Sequence, residues 1–456
     1  MTESFGDKLQ KASENIQNIS ENVKVVKRRA KRALYRGSSI PLEVEAMDEF
    51  LANGMDTFPM VADSIFAPMD QYLMDLAYQG RANRWPLPSE RSIPAVAAGR
   101  WLATGELPVM VMQNSGFSNA MEYLRTVMLV HKIPGFVLST WRGHDAEIDD
   151  SEPHILVGDV TDVDNKNTVG KENVKGRRNG IGLLHDLRES IDLVKGGRLV
   201  CFRVSPAGFR KSYPLREVTD AEIRYLDMDY YEARKTEKGR PFRKVQEEPL
   251  RTRDEAIKDI WAMIMDEKPF VVVGNGYLPR AFQALRLTRY SFENAGGMGS
   301  SLAIAWGAAK SNPEQNFVAI DGDQNAVMNE MEKVLSSDYP PNLRWFILNN
   351  GTGESVGTAR SLPLSPIHYD MAYVINIKNE KPGSFKYPRI NASGLKFDTE
   401  EAQELARNIG NLPAQAHLAR RLLEEEQALR EDRKKEDAWS AKRIIESGLP
   451  RLLTPY

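Results

Sequence analysis

Apolar residues in this chain cluster in short unbroken runs separated by stretches of helical spacing. PVMVM (108–112), GFVLS (135–139) and RLVCFRV (198–204) form one set. FVVVG (270–274), FVAI (317–320), WFIL (345–348) and AYVINI (372–377) form a second. Runs this short, with no alternation, read as strands buried on both faces, which is the habit of parallel sheets. Helical stretches between them predict two doubly wound parallel-sheet α/β domains, at 41–205 and 251–380. The polar, charged stretch 206–250 reads as a linker. Ile16, Ile19, Val23 and Val26 recur at helical spacing and predict a helical N-terminal extension over 1–40, ending in the basic cluster KVVKRRAKRALYR. The charged tail, 381–456, reads as a helical C-terminal extension. DVDNKNTVGKENVKGRRNG is rich in Asn, Gly and Lys and predicts an exposed loop over 161–179.

Composition narrows the class. A formal charge of −2 over 456 residues gives no reason to expect nucleic acid or an anionic membrane as partner. No apolar run approaches a membrane span, and MTESFGDKLQKASENIQ has no hydrophobic signal core. The single cysteine, Cys201, excludes an internal disulfide and sits in a run that reads as a core strand. The expectation is a soluble, cytoplasmic enzyme.

Chemistry concentrates at two strand ends. FVAI stops at Asp321-Gly322-Asp323-Gln324, and WFIL stops at Asn349-Asn350-Gly351. Parallel strands joined by a helix open on one side of the sheet, where ligands bind. A carboxylate and an amide oxygen converging there suit a hard cation such as magnesium, whose other ligands are water and phosphate. A helix starting near Asn325 would add backbone N–H groups for phosphate.

Gly322-Asp323, then about twenty-five residues, then Asn349-Asn350 resembles the motif of thiamine-diphosphate enzymes, with Gln324 in place of the usual third glycine. By resemblance, Asp323, the Asn350 side chain and the Thr352 carbonyl hold Mg2+, with Gly322 and Gln324 at the diphosphate. ENAGGMGSSLAIAWGAA resembles the segment that bends this cofactor. It makes Met298 the apolar wedge and the Gly296 carbonyl an acceptor for the aminopyrimidine amine. PSERSIPAVAAGRWLATG resembles the family's pyrimidine-domain stretch and assigns Glu90 as the acid beside the pyrimidine ring.

MQNSGFSNA (112–120), STWRG (139–143), SEPHILVG (151–158), NNGTGESVG (349–357) and FPMVADSIFAPM (58–69) resemble phosphonopyruvate decarboxylase and the related sulfopyruvate decarboxylase. That resemblance implies a pyrimidine-type and a diphosphate-type domain without the middle domain of larger relatives. It implies decarboxylation of a small 2-oxo acid with an anionic tail, phosphonopyruvate first. Sulfopyruvate, carboligation and a non-catalytic cofactor-binding scaffold are the alternatives. Ser64, Asn114, Ser115, Arg142, His154 and Arg360 are the substrate-side candidates. The family builds its sites between subunits, which implies a homodimer or larger homo-oligomer, with Glu90 and Asp323 of one chain serving different sites.

Overall fold

A computed structural model describes residues 42–143, 152–176, 182–205, 251–285, 287, 291–294, 296–354 and 359–379. The terminal extensions expected at 1–40 and 381–456 and the linker at 206–250 lie outside the described residues.

The first sheet is built from β1 (Thr57–Met60), β2 (Asn83–Pro86), β3 (Val109–Met112), β4 (Gly135–Thr140), β5 (Val174–Lys175) and β6 (Leu199–Val204). Their spatial order is β2-β1-β3-β4-β6-β5, and every pairing is parallel. The second sheet uses β7 (Phe270–Val273), β8 (Ser291–Glu293), β9 (Phe317–Gly322) and β10 (Leu343–Asn349). A short antiparallel ladder, β11 (Thr352–Gly353) with β12 (Ala359–Arg360), follows, and then β13 (Tyr373–Asn376) completes the sheet. The order is β13-β10-β9-β7-β8, again all parallel. The two expected α/β units are therefore present. Cys201 is fully buried on β6, and burial pushes its thiol up to about 12.

Six helices bear on the site: α1 (Ser92–Thr104), α2 (Asn114–Tyr123), α3 (Glu152–Val169), α4 (Arg253–Ile264), α5 (Ser301–Ser311) and α6 (Asp323–Met328). A π-helical turn, Leu124–Leu129, continues α2. The two halves meet where α1 crosses α5. Both helices are rich in Ala and Gly, and the backbones touch: a Cβ on Gly99 would overlap the Ile304 carbonyl, and one on Gly307 the Val96 carbonyl. Flanking the crossing, Trp85 packs edge-on against Trp306 at 5.4 Å.

The loop expected at 161–179 is overturned over its described part. Residues through Val169 belong to α3, followed by a 3-10 turn at Lys171–Asn173 and by β5. The reason is an inverted amphipathic pattern. Thr161, Asn165 and Thr168 turn inward and are buried, whereas Leu156, Val160 and Val163 are exposed. A helix whose inward face is polar carries no apolar stripe for a periodicity argument to find.

Candidate active site

At the carboxyl end of the second sheet lies a cavity of about 200 Å³. Gly322, Asp323, Gln324, Asn350 and Thr352 line it, together with Met298, Met328, Tyr277, Arg253 and Glu354. The two strand ends singled out from the sequence therefore converge on one hollow. Asp323 begins α6, a helix of six residues that starts two positions before Asn325.

Asp323 is buried, and its Oδ2 has no hydrogen-bond partner. Burial raises its pKa, while the Ser361 hydroxyl and the backbone N–H groups of Gln324 and Gly351 act in the opposite direction. A buried carboxylate oxygen left unpaired is costly, and a cation beside it removes the cost. Asn350 Oδ1 accepts the Thr352 N–H at 3.1 Å and keeps a second lone pair. Gly351 takes φ +70° in the turn between them, a conformation that suits glycine. Asn379 Nδ2 donates to the Asn350 carbonyl at 3.1 Å, and the Thr352 hydroxyl donates to Asn379 at 2.6 Å, so the loop is braced from outside. Among the described residues no cluster of three His, Cys, Asp or Glu side chains could hold a metal alone. One carboxylate, one amide and one carbonyl suit magnesium completed by phosphate and water oxygens.

The opposite wall carries Met298, whose side chain is 44% exposed although its neighbours are buried. Gly297 lies against Val127, where a Cβ would come within 2.6 Å of Cγ2, and Gly296 packs on Thr126. Gly299, at φ +79°, donates its N–H to Asn325 Oδ1 at 3.0 Å. Asn325 in turn donates to Asp321 at 3.2 Å, and Trp345 donates to Asp321 at 2.9 Å. Ser301 completes the set of donors. Burial pushes the Asp321 carboxyl up to about 6 against these three donors. Arg253 and Glu354 form a buried ion pair at the cavity wall.

Glu90 does not line this cavity. It sits half-buried at the start of α1, against Gly116 of α2, where any side chain would overlap it. The adjacent residue, Arg91, makes the link: it donates to the Met298 carbonyl at 3.0 Å and to the Met328 carbonyl at 3.3 Å. The segment that opens α1 and the Met298 loop thus meet within one chain.

The substrate candidates divide into groups. Gln113 donates to the Ser115 hydroxyl at 2.8 Å and lies 3.4 Å from His154 Nδ1, so Ser115 and His154 share one cluster past β3. Ser64 is exposed beyond β1. Asn114 is spent structurally: it donates to the Arg142 carbonyl and to Thr161, each at 2.9 Å, and accepts the Arg142 N–H at 3.2 Å. It fixes the strand end that carries Arg142, and both amide hydrogens are already donated within the chain. Arg360 belongs to the other half, where β12 pairs it with Thr352. Arg91, Tyr123, Asp321, Asn325 and the Arg253–Glu354 pair were not singled out from the sequence. Only Arg91, adjacent to Glu90, and Asp321, an acid ending an apolar run, carried any signal there.

The model of the thiamine pyrophosphate enzymes, C-terminal TPP binding domain, matches residues 275–373, which hold the cavity floor and the wedge. The chain is also similar in sequence to two phosphonopyruvate decarboxylases. It is 29% identical over 317 residues to a phosphonopyruvate decarboxylase of Streptomyces hygroscopicus, covering 68% of this chain and 73% of that one. It is 27% identical over 278 residues to a phosphonopyruvate decarboxylase of Streptomyces viridochromogenes, covering 60% and 65%. Its fold matches that of the thiamine diphosphate-dependent 4-hydroxybenzoylformate decarboxylase of Rhodococcus jostii, with a TM-score of 0.52 at 12% identity, over 75% of this chain and 100% of that one. Among the described residues no helix is long and apolar enough to cross a membrane.

Proposed function

We propose that this chain is a magnesium- and thiamine-diphosphate-dependent decarboxylase of a 2-oxo acid with an anionic tail, phosphonopyruvate first, giving phosphonoacetaldehyde and carbon dioxide. One observation carries the reading: the orphaned Asp323 oxygen, Asn350 and Thr352 face a cavity that also holds the half-exposed Met298, inside the stretch that matches a TPP-binding domain. The two phosphonopyruvate decarboxylases among its relatives support the choice of substrate.

Asp323, the Asn350 amide oxygen and the Thr352 carbonyl would hold the magnesium ion and, through it, the diphosphate. Gly322 and Gln324 would border the phosphates. Met298, whose side chain is 44% exposed at the cavity wall, would fill the space under the cofactor's bend. Glu90 would hold a proton beside the pyrimidine ring nitrogen. When bound, the thiazolium supplies the electron sink for the bond pair released with carbon dioxide. Arg142, at the carboxyl end of β4, would take the anionic tail, since a guanidinium matches phosphonate oxygens in geometry and charge. Ser115, His154 and Ser64 add hydrogen-bonding groups on the same side. The burial of the α1–α5 crossing excludes water from the wall between the two halves.

A cytoplasmic location and a homodimer or larger homo-oligomer belong to the same reading. Mixing Glu90→Gln with Asp323→Ala chains tests how the sites are shared. Regained turnover would mean that sites are built between subunits, and none that each chain completes its own. The activity itself is tested by carbon dioxide release from phosphonopyruvate, sulfopyruvate and pyruvate, with cofactor or magnesium omitted as controls. Fastest release from phosphonopyruvate, dependent on both additions, supports the proposal; no release from any 2-oxo acid ends it.

A further inference from the structure

The Met298 carbonyl is the meeting point of two donors from the first half of the chain. Arg91 reaches it at 3.0 Å and the Tyr123 hydroxyl at 2.6 Å. The same guanidinium donates to the Met328 carbonyl at the end of α6, the helix that Asp323 begins. It is oriented by Glu122, at 2.9 Å, and lies over the Tyr123 ring with 4.8 Å to its centre. Tyr123 is buried and its phenol is pushed up, so it stays protonated and remains a donor at any working pH.

We infer that Arg91 and Tyr123 are positioning residues that clamp the wedge carbonyl and tie it to the segment bearing Glu90. The inference rests on the cofactor reading above and adds a division of labour to it. Met298 has an apolar side chain that faces a cavity, so packing cannot fix its orientation. Its backbone must do so. On the second half's side, Gly299 is held by Asn325. On the first half's side, among the described residues, this pair of donors holds residue 298. Arg91 belongs to the segment that opens α1, so its bond to the wedge carbonyl anchors the Met298 loop on the first half of the same chain. The second Arg91 bond, to Met328, carries the same constraint to the far end of the helix that starts at the proposed metal ligand. A bond donated by a charged group is stronger than a neutral one and favours one backbone orientation over its alternatives.

The test uses full-length Arg91→Ala, Arg91→Lys and Tyr123→Phe. Three quantities are read: the melting temperature without cofactor, the Kd for thiamine diphosphate with magnesium by tryptophan quenching, and exchange of the bound cofactor's thiazolium C2 proton with deuterium. The clamp predicts that Arg91→Ala slows C2 exchange by roughly 10- to 100-fold, the rate equivalent of one charge-assisted bond. Kd should change by no more than about threefold, because the metal and diphosphate contacts remain. Arg91→Lys should fall between wild type and Arg91→Ala, since an ammonium keeps the charge but cannot span both carbonyls. Tyr123→Phe should slow exchange while leaving the melting temperature close to wild type. Exchange at the wild-type rate in Arg91→Ala and Tyr123→Phe, with cofactor bound, overturns the clamp and leaves the cofactor reading intact. Loss of melting temperature, Kd and exchange together in all three variants, including Arg91→Lys, also overturns it, because the role is then general stability. A wild-type chain that binds no thiamine diphosphate overturns both.

Discussion

Gly99→Ala sets two magnitudes against each other. Alanine replaces glycine in the middle of α1, and by helix propensity alone that would stabilise the fold by about 1 kcal/mol. The new Cβ, however, would overlap the Ile304 carbonyl and lie only 2.8 Å from Ala308 N, where ordinary contact begins at 3.4 Å. Both neighbours are α5 backbone and cannot rotate aside, so the helices must part by roughly 1 Å or more. Overpacking of this kind costs about 1–3 kcal/mol, which outweighs the propensity gain and leaves a net loss of up to about 2 kcal/mol. The displacement matters more to activity than to stability. Glu90 lies two residues before α1, and Met298 three residues before α5, so parting the helices displaces both residues from the positions proposed for them. Misplacement on this ångström scale costs on the order of 100-fold in rate. Chemical denaturation gives the stability change, and carbon dioxide release with saturating cofactor gives kcat. A variant that is more stable than wild type by about 1 kcal/mol, with unchanged kcat, would refute the backbone contact and the role given to it.

Three further outcomes follow from the same structure. Glu90→Gln should retain thiamine diphosphate and magnesium with near wild-type Kd while losing turnover by at least roughly 100-fold, as expected for a general acid–base group; titration and single-turnover kinetics separate the two. Arg142→Ala should raise KM for phosphonopyruvate by roughly tenfold with little change in Kd for the cofactor, because one charge-assisted contact to the tail is lost. Glu293 is buried against Gln283 and Ser291, and burial pushes its carboxyl up to about 7. A carboxyl raised above its unfolded value contributes stability below about 4.5 that is lost as pH rises through about 7. The stability of Glu293→Gln relative to wild type should therefore increase from pH 5 to pH 8, by as much as about 3 kcal/mol, and a difference flat with pH contradicts the assignment.

Much of the architecture could be read from apolar runs, because strands of a buried parallel sheet show no competing pattern: β3, β4, β6, β7, β9, β10 and β13 all fall on them. The strands that escaped are short, and all but β1 lie at sheet edges. β2, NRWP, has one buried residue in four and ends in proline, and β5 is two residues long. α3 escaped because threonine and asparagine occupy its inward face. At the site, Asp323, Asn350, Thr352 and Met298 share the expected cavity, since strand-end position alone brings them together. Asn114 showed the opposite limit: its residue type fits ligand binding and structural bracing equally, and only its partners decide. Arg91 and Tyr123 were hidden for another reason. Their partner is a backbone carbonyl 207 positions from Arg91, and a carbonyl carries no sequence signature.

The central claim is that Asp323, Asn350 and Thr352 hold a magnesium ion that anchors thiamine diphosphate beneath Met298. Tryptophan quenching on titration with thiamine diphosphate, with and without magnesium, in wild type and Asp323→Ala, tests it most directly. Saturable binding that requires magnesium in wild type and weakens by at least roughly 100-fold in Asp323→Ala is the predicted result. Binding of equal strength in both proteins, or binding indifferent to magnesium, would contradict it.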